Sequence, residues 1–272
     1  MNSGNRETAL VTGASSGIGA IYADRLARRG HDLVLVARNA DRLNALAARI
    51  SAETGRRVET LVADLGRPDD LARVEHVLRT NDRLSMLINN AGVGATSPLL
   101  ASDVEKMQEL ITLNISVVMR LAYAAIPAFV SRNAGTLVNV SSIVAISPET
   151  LNGVYGGSKA FVLAFSQSLQ HELADKNVRV QAVLPGATRT DFWETAGLPL
   201  RQLPTDIVMA ASDMVDAALA GLDQGELVTI PSLPDLHEWD AFDAARRAMA
   251  TRLSSSVPAR RYRARAEHGA RA

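Results

Sequence analysis

The chain has 272 residues, with 29 Lys plus Arg against 29 Asp plus Glu and apolar side chains at 47%. Balanced charge leaves no global field to draw in nucleic acid or an anionic membrane, and the apolar share suits a full globular core. There is no cysteine, which excludes a disulfide scaffold, a thiol nucleophile, an iron–sulfur cluster and a thiolate metal site.

Met1 to Glu7 is polar, and no run is expected to reach the roughly 18 apolar residues of a membrane span. The expectation is a cytoplasmic protein with no membrane partner. Three lysines occur, Lys106, Lys159 and Lys176, and the remaining basic residues are arginines.

Strand and helix signals alternate along the chain. Thr8–Thr12 reads as a buried strand, followed by a glycine-rich turn and a helix from about Ser16 to Arg29 that stops at Gly30, where a left-handed cap is needed. Asp32–Ala37 is the second strand. A second helix, Asp41 to Glu53, ends at Gly55. Val58 to Ala63 is the third strand, and Pro68 opens a helix carrying Leu71, Val74, Val77 and Leu78. Leu84 to Asn89 and Gly135 to Ser141 are strands four and five, separated by a long helical stretch from about Asp103 to Ser131. A helix over Gly153 to Lys176, a strand over Val178 to Leu184, a helix over Asp206 to Leu222 and a seventh strand over Leu227 to Ile230 follow. Such alternation predicts an α/β fold, a doubly wound parallel sheet with helices on both faces, in one domain.

From Ala241 to Ala272 there are eight arginines (246, 247, 252, 260, 261, 263, 265 and 271) against Asp243 and Glu267. This extension reads as a helix around Trp239 to Leu253 with a solvated end. Packing against a second subunit is the alternative, with nucleic-acid binding a distant third. The helix-borne acids, Asp24 and Glu172 among them, read as solvated faces, and the five histidines (31, 76, 171, 237, 268) show no ligand or triad spacing.

The turn Thr12-Gly13-Ala14-Ser15-Ser16-Gly17-Ile18-Gly19 follows a strand and opens a helix. There a pyrophosphate can sit on free backbone N–H groups at the positive end of the helix dipole. Gly13 allows the tight turn, Gly17 the close approach of phosphate, and Gly19 close helix–strand packing. An acid at the tip of the second strand would mark NAD(H). That edge instead reads Val36-Ala37-Arg38-Asn39, and a guanidinium can fork onto a ribose 2′-phosphate, so NADP(H) is expected over NAD(H). Pairing of Arg38 with Asp41 is the bland alternative. Asp64, at the end of the third strand, is placed to accept from an adenine amino group or, alternatively, to serve as a helix cap before Pro68.

Tyr155 and Lys159 stand four residues apart on one helix face, and Ser142 lies at the end of the fifth strand, where parallel sheets open their ligand crevice. A tyrosine titrates near about 10, so it needs help to exchange protons at neutral pH. An adjacent ammonium and a positive cofactor ring are expected to lower that value. Ser142 can donate to a substrate oxygen. Ser141 is a possible rival that the spacing disfavours.

With these motifs in hand, the sequence resembles the short-chain dehydrogenase/reductase superfamily in its compact single-domain branch, from about Thr8 to Ile230. The resemblance rests on the glycine turn, Asn89-Asn90-Ala91-Gly92, Asn114, Ser142, Tyr155-Gly-Gly-Ser-Lys159, and Pro185-Gly186 with Thr190. It implies a Rossmann-type sheet in the order 3-2-1-4-5-6-7. It also implies substrate orientation by Ser142, proton transfer by Tyr155, ribose binding by Lys159, and a water held by Asn114 as a proton relay. Asn90 and its neighbours would lie under the adenosine ribose, Pro185 and Gly186 near the nicotinamide, and Thr190 on its carboxamide. The cofactor positions so expected are Gly13, Ser15, Ser16, Gly17, Ile18, Gly19, Arg38, Asp64, Leu65, Asn90, Ala91, Gly92, Tyr155, Lys159, Pro185, Gly186, Thr188 and Thr190, with no metal.

Substrate identity would come from 93–100, 143–152 and a lid over about 186–203 that carries Phe192 and Trp193. Ile143, Val144 and Ile146 predict an apolar wall and hence an apolar ketone, aldehyde or secondary alcohol, while Arg189 and Arg201 could engage an anion. The long helices carry apolar residues on more than one face, and such helices, by the resemblance, pair across a two-fold axis into a homodimer or homotetramer. Two competing functions are a cofactor-binding redox sensor or scaffold without turnover, and an epimerase or dehydratase. The complete Ser142–Tyr155–Lys159 set argues against the first, and the short segment after Ile230 against the second.

Overall fold

Strand β1 (Thr8–Thr12) is buried at all five positions, and alternate side chains serve opposite layers: Ala9 and Val11 face one apolar cluster, Leu10 the other. A strand covered on both faces has no polar side to show, which is why these runs are continuously apolar rather than alternating. The computed structural model describes residues 7–262. The chain divides into two compact units between Pro231 and Ser232.

The first unit holds β1, α1 (Gly17–Arg28), β2 (Asp32–Ala37), α2 (Ala40–Thr54), β3 (Val58–Val62), α3 (Pro68–Thr80), β4 (Leu84–Asn89), α4 (Val104–Ile111) and α5 (Val118–Ser131). It continues with β5 (Gly135–Val140), α6 (Gly153–Glu172), β6 (Val178–Val183), β7 (Thr188–Arg189), α7 (Phe192–Ala196), β8 (Met209–Ala210), α8 (Ala211–Gln224) and β9 (Val228–Thr229). Seven strands form a parallel sheet in the order β3-β2-β1-β4-β5-β6-β9. The expected order stands, with the last strand ninth in the chain because a separate two-stranded ribbon, β7 with β8, is inserted before it. One layer packs Tyr22 and Leu26 of α1, Leu43 of α2 and Met214 of α8 on the sheet. The other packs Leu71 and Leu78 of α3, Leu121 and Phe129 of α5 and Leu169 of α6.

Three expectations are corrected. The helix expected from Asp206 begins only at Ala211, because Met209 and Ala210 pair with β7 instead. The stretch expected as one long helix is interrupted by a π-helical turn at Thr112–Val117. Such a turn widens the ladder by one residue and re-aims its side chains. Third, Val104–Ser131 as a whole is long and apolar enough, by length and composition, to cross a membrane. Here its apolarity serves the core: Leu121, Ala122 and Ala125 are fully buried, and α5 packs on α3 and the sheet.

Asp24 is also not solvated. Its side chain is 8% exposed and is held by Arg25 at 2.9 Å, Arg28 at 3.0 Å and Arg49 at 3.2 Å. Burial works against its charge, but the arginine hydrogen bonds outweigh that and hold the carboxyl below its ordinary range.

The second unit contains α9 (Leu236–Ala248), capped by Asp235 and laced by Asp243 to Arg246 and Arg247. Arg263, Arg265, Glu267, His268 and Arg271 lie outside the described residues.

Candidate active site

The glycine turn is shaped by backbone conformation and by close approach. Gly13 and Gly17 have φ of +65° and +53°, which only glycine adopts freely, and a Cβ at Gly13 would lie 2.8 Å from Asn90 Nδ2. A Cβ at Gly19 would fall 2.3 Å from the Gly13 carbonyl oxygen, so α1 can start this close to β1 only with glycine there. Thr12 welds the turn to the next strand: its Oγ1 donates to Ile88 O and accepts from the N–H groups of Asn90 and Ala91, both at 3.0 Å. Asn90 Nδ2 donates back to Thr12 O at 2.9 Å.

Ser16 is the N-cap of α1, yet its side chain makes no cap hydrogen bond. The helix therefore starts with backbone N–H groups that no side chain has claimed, beside Ser15 and Ile18. This is a cradle suited to an anionic diphosphate. The residues fit the group that the sequence reading implied.

Arg38, at the tip of β2, is exposed and lines an open cavity of about 470 Å³ with Ala63, Asp64, Arg67 and Asp70. Asp64 Oδ1 accepts from Gly66 N at 3.0 Å and its main-chain N–H donates to Asp70; it is not the helix cap, since Arg67 stands at the N-cap of α3 without a side-chain cap. Leu65 is buried in the layer beneath.

Two consecutive serines, Ser141 and Ser142, follow the C-terminal end of β5 and take different partners on α6. Ser141 Oγ donates to the Lys159 carbonyl at 2.7 Å and braces α6. Ser142 Oγ accepts from Val144 N at 3.3 Å and can aim its proton at Pro185 O, 3.4 Å away, or at the Tyr155 hydroxyl, to which it is hydrogen-bonded. Asn152 caps α6, accepting from Val154 N at 2.8 Å and donating to Ser97 O, and so fixes where Tyr155 stands. An asparagine just ahead of a helix is a signal the sequence offered; Ser158 gave none. Its Oγ donates to Tyr155 O at 2.8 Å and accepts from Asn114 at 3.1 Å.

Lys159 Nζ is buried, donates to Val140 O at 3.0 Å and lies 5.9 Å from the Tyr155 ring centroid. The expectation that this ammonium lowers the tyrosine is not met in the chain alone. Burial pushes Tyr155 up to about 12, with Ser142 pulling the other way, and burial pushes Lys159 down to about 8. Removing water disfavours both charged forms.

Asn114 stands in the π turn, 1% exposed, and clamps Val93: Oδ1 accepts from Val93 N at 3.0 Å and Nδ2 donates to Val93 O at 2.9 Å. Asn114 thus makes side-chain-to-backbone contacts with Val93. Gly92 lies between Asn114 and Lys159, where a Cβ would meet Asn114 Oδ1 at 3.0 Å.

Beyond β6, Gly186 O accepts from Thr188 Oγ1 at 3.0 Å, and Thr188 O accepts from Trp193 Nε1 at 2.9 Å. Thr190 Oγ1 accepts from Phe192 N at 3.3 Å, and its methyl faces Gly17, so the segment leading to α7 meets the glycine turn.

A sequence profile of the short chain dehydrogenase family matches residues 7–199. A short-chain dehydrogenase from Sphingobium yanoikuyae, solved in complex with NADPH, is 50% identical with a TM-score of 0.92, covering 94% of this chain and 100% of that one. The bulky-bulky ketone specific alcohol dehydrogenase from Comamonas testosteroni is 43% identical with a TM-score of 0.86, covering 95% and 99%. Human 17-beta-hydroxysteroid dehydrogenase type 3 is 37% identical over 186 residues, 67% of this chain and 59% of that protein's length. The chain belongs to the short-chain dehydrogenase/reductase superfamily.

Proposed function

We propose that this chain is an NADP(H)-dependent oxidoreductase that interconverts a bulky apolar ketone or aldehyde with its alcohol. The observation that carries the reading is the buried cluster of Ser142, Tyr155 and Lys159 at the sheet edge, beside the glycine turn. The cofactor, when bound, supplies or receives the hydride and, when oxidised, brings a positive ring. Ser142 aims its proton at the substrate oxygen. Tyr155 delivers or removes the proton at that same oxygen, and the neutral form that burial favours is the one that can donate during reduction. Lys159, anchored to Val140 O, would hold the ribose hydroxyls, and its charge would favour the phenolate during oxidation. Val144, Leu110 and Ala95 surround Tyr155 with apolar surface, which supports an apolar substrate, as do the names of the ketone- and steroid-converting relatives.

NADP(H) is supported by Arg38 and Arg67 beside Asp64, and by the cofactor bound to the Sphingobium protein. Paired titrations with NADPH and NADH, followed by quenching of Trp193 and Trp239, test it. NADPH should bind at least about tenfold tighter, or ~1.4 kcal/mol, and Arg38→Ala should erase the difference. Equal affinities in the wild type overturn the preference. Tyr155→Phe should cut turnover by roughly 10²–10⁴-fold while leaving NADPH binding intact, and unchanged turnover would mean a binding protein rather than an enzyme.

We place the protein in the cytoplasm as a homotetramer or homodimer. Exposed Met119 and Tyr123 on α5 and the stacked Phe161–Phe165 pair on α6 support self-association. A monomer by light scattering would overturn it.

A further inference from the structure

We propose that Phe192, seated on the backbone of Gly94, is the side chain that limits the size of the substituent admitted beside the carbonyl. The inference rests on the carbonyl–alcohol reading above and names a specificity determinant within it.

The Phe192 ring centroid lies 5.8 Å from that of Tyr155, tilted at 46°. A ketone held through its oxygen by the Tyr155 hydroxyl and Ser142 then has this ring as a neighbour for a substituent on its carbonyl carbon. The ring can come so close because residue 94 has no side chain: a Cβ there would fall 2.1 Å from Phe192 Cζ and 2.5 Å from Cε2. Phe192 is held in place from three sides. Trp193 packs edge-on against it at 5.4 Å and is itself tied to Thr188 O through Nε1. Asp191, just before it, pairs with Arg42. At the far end of α7, Ala196 O accepts both the N–H and the hydroxyl of Thr96, at 3.2 and 2.8 Å, two residues beyond Gly94. The segment that offers the seat and the helix that fills it are thus hydrogen-bonded to each other, so ring and seat stay in register.

The atoms that a side chain at 94 would meet are the outer end of the ring, not main chain. Adding a methyl there should swing the ring out and leave the backbone in place. Two substitutions on different segments, Gly94→Ala and Phe192→Ala, then reach the same end, an emptied position beside Tyr155.

The test compares kcat/KM for acetophenone and benzophenone with NADPH in the wild type, Gly94→Ala, Phe192→Ala and the double variant, alongside the near-ultraviolet circular dichroism of each protein. Both single variants should raise the benzophenone-to-acetophenone ratio by roughly tenfold. The double variant should go no further than Phe192→Ala alone, and Gly94→Ala should shift the Trp193 dichroism as Phe192→Ala does. An unchanged ratio in Phe192→Ala, with the wild type active, overturns the inference and leaves the oxidoreductase reading standing. A wild type that reduces neither these nor other ketones overturns the reading itself. Should Gly94→Ala fail to fold, the ratio in Phe192→Ala decides.

Discussion

The Arg42 guanidinium lies 3.2 Å from the Asp191 carboxylate, joining the first turn of α2, close to Arg38, to the residue in front of α7. The two side chains are 60% and 71% exposed. Water and salt screen such a pair, so it holds the lid segment with no more than about 1 kcal/mol. Asp191→Asn should lower the melting temperature by no more than about 3 °C. Removing an anion near an anionic cofactor should also tighten NADPH binding at low salt, an effect that high salt erases. A titration at two ionic strengths measures it, and unchanged low-salt affinity would show that Asp191 is remote from the bound phosphates.

Burial of Lys159 has a consequence for stability without cofactor. Its folded value is down at about 8, whereas an unfolded lysine titrates near 10.5. Between those values the unfolded chain holds a proton that the folded chain has released, so the free energy of unfolding rises with pH across the window. The contribution is of order 3 kcal/mol. Above pH 10 Tyr155 acts the other way, because its folded value of about 12 keeps a proton that the unfolded chain loses. Urea midpoints at pH 7.5 and 9.5 should therefore rise more in the wild type than in Lys159→Met. Equal pH slopes would show that the ammonium is solvated in the folded chain.

Glu75 of α3 is 6% exposed and accepts from Arg120 of α5 and, at 2.9 Å, from Arg79. The Arg120 hydrogen bond, reinforced by Arg79, outweighs burial and holds the carboxyl below its usual range. Stability from this site is present above the unfolded glutamate value and is lost as pH falls through the folded one. Arg120→Ala should cost about 1–3 kcal/mol near pH 7, toward the lower end because the arginine is half exposed. It should also flatten the loss of stability between pH 5 and 3. Thermal melts across that range check both, and an unshifted melt at pH 7 would mean that Arg79 suffices.

Much of the site was legible because its chemistry depends on short, local spacings. Gly13, Gly17 and Gly19 are required by one turn, and Tyr155 and Lys159 share a helix face by their separation of four. The choice of Ser142 over Ser141 also followed from spacing, and the structure shows Ser142 bonded to the Tyr155 hydroxyl while Ser141 donates to the Lys159 carbonyl. Asp24 was misread because three arginines close over it, one of them from α2, and helical periodicity cannot see a neighbouring helix. The π turn at Asn114 was missed because Val104–Ser131 has an unbroken apolar helical pattern with no glycine to mark an inserted residue.

The strand order was implied by the family resemblance; the sequence by itself determined the alternation of strands and helices, the glycine turn and the spacing of Ser142, Tyr155 and Lys159. Each follows from backbone conformation and periodicity within segments of at most some twenty residues. The tertiary structure alone decided the burial that pushes Tyr155 up and Lys159 down, the clamp of Asn114 on Val93, and the seat of Phe192 on Gly94. Those depend on how much water the fold excludes and on which distant segments it brings together, and neither quantity is local to the chain.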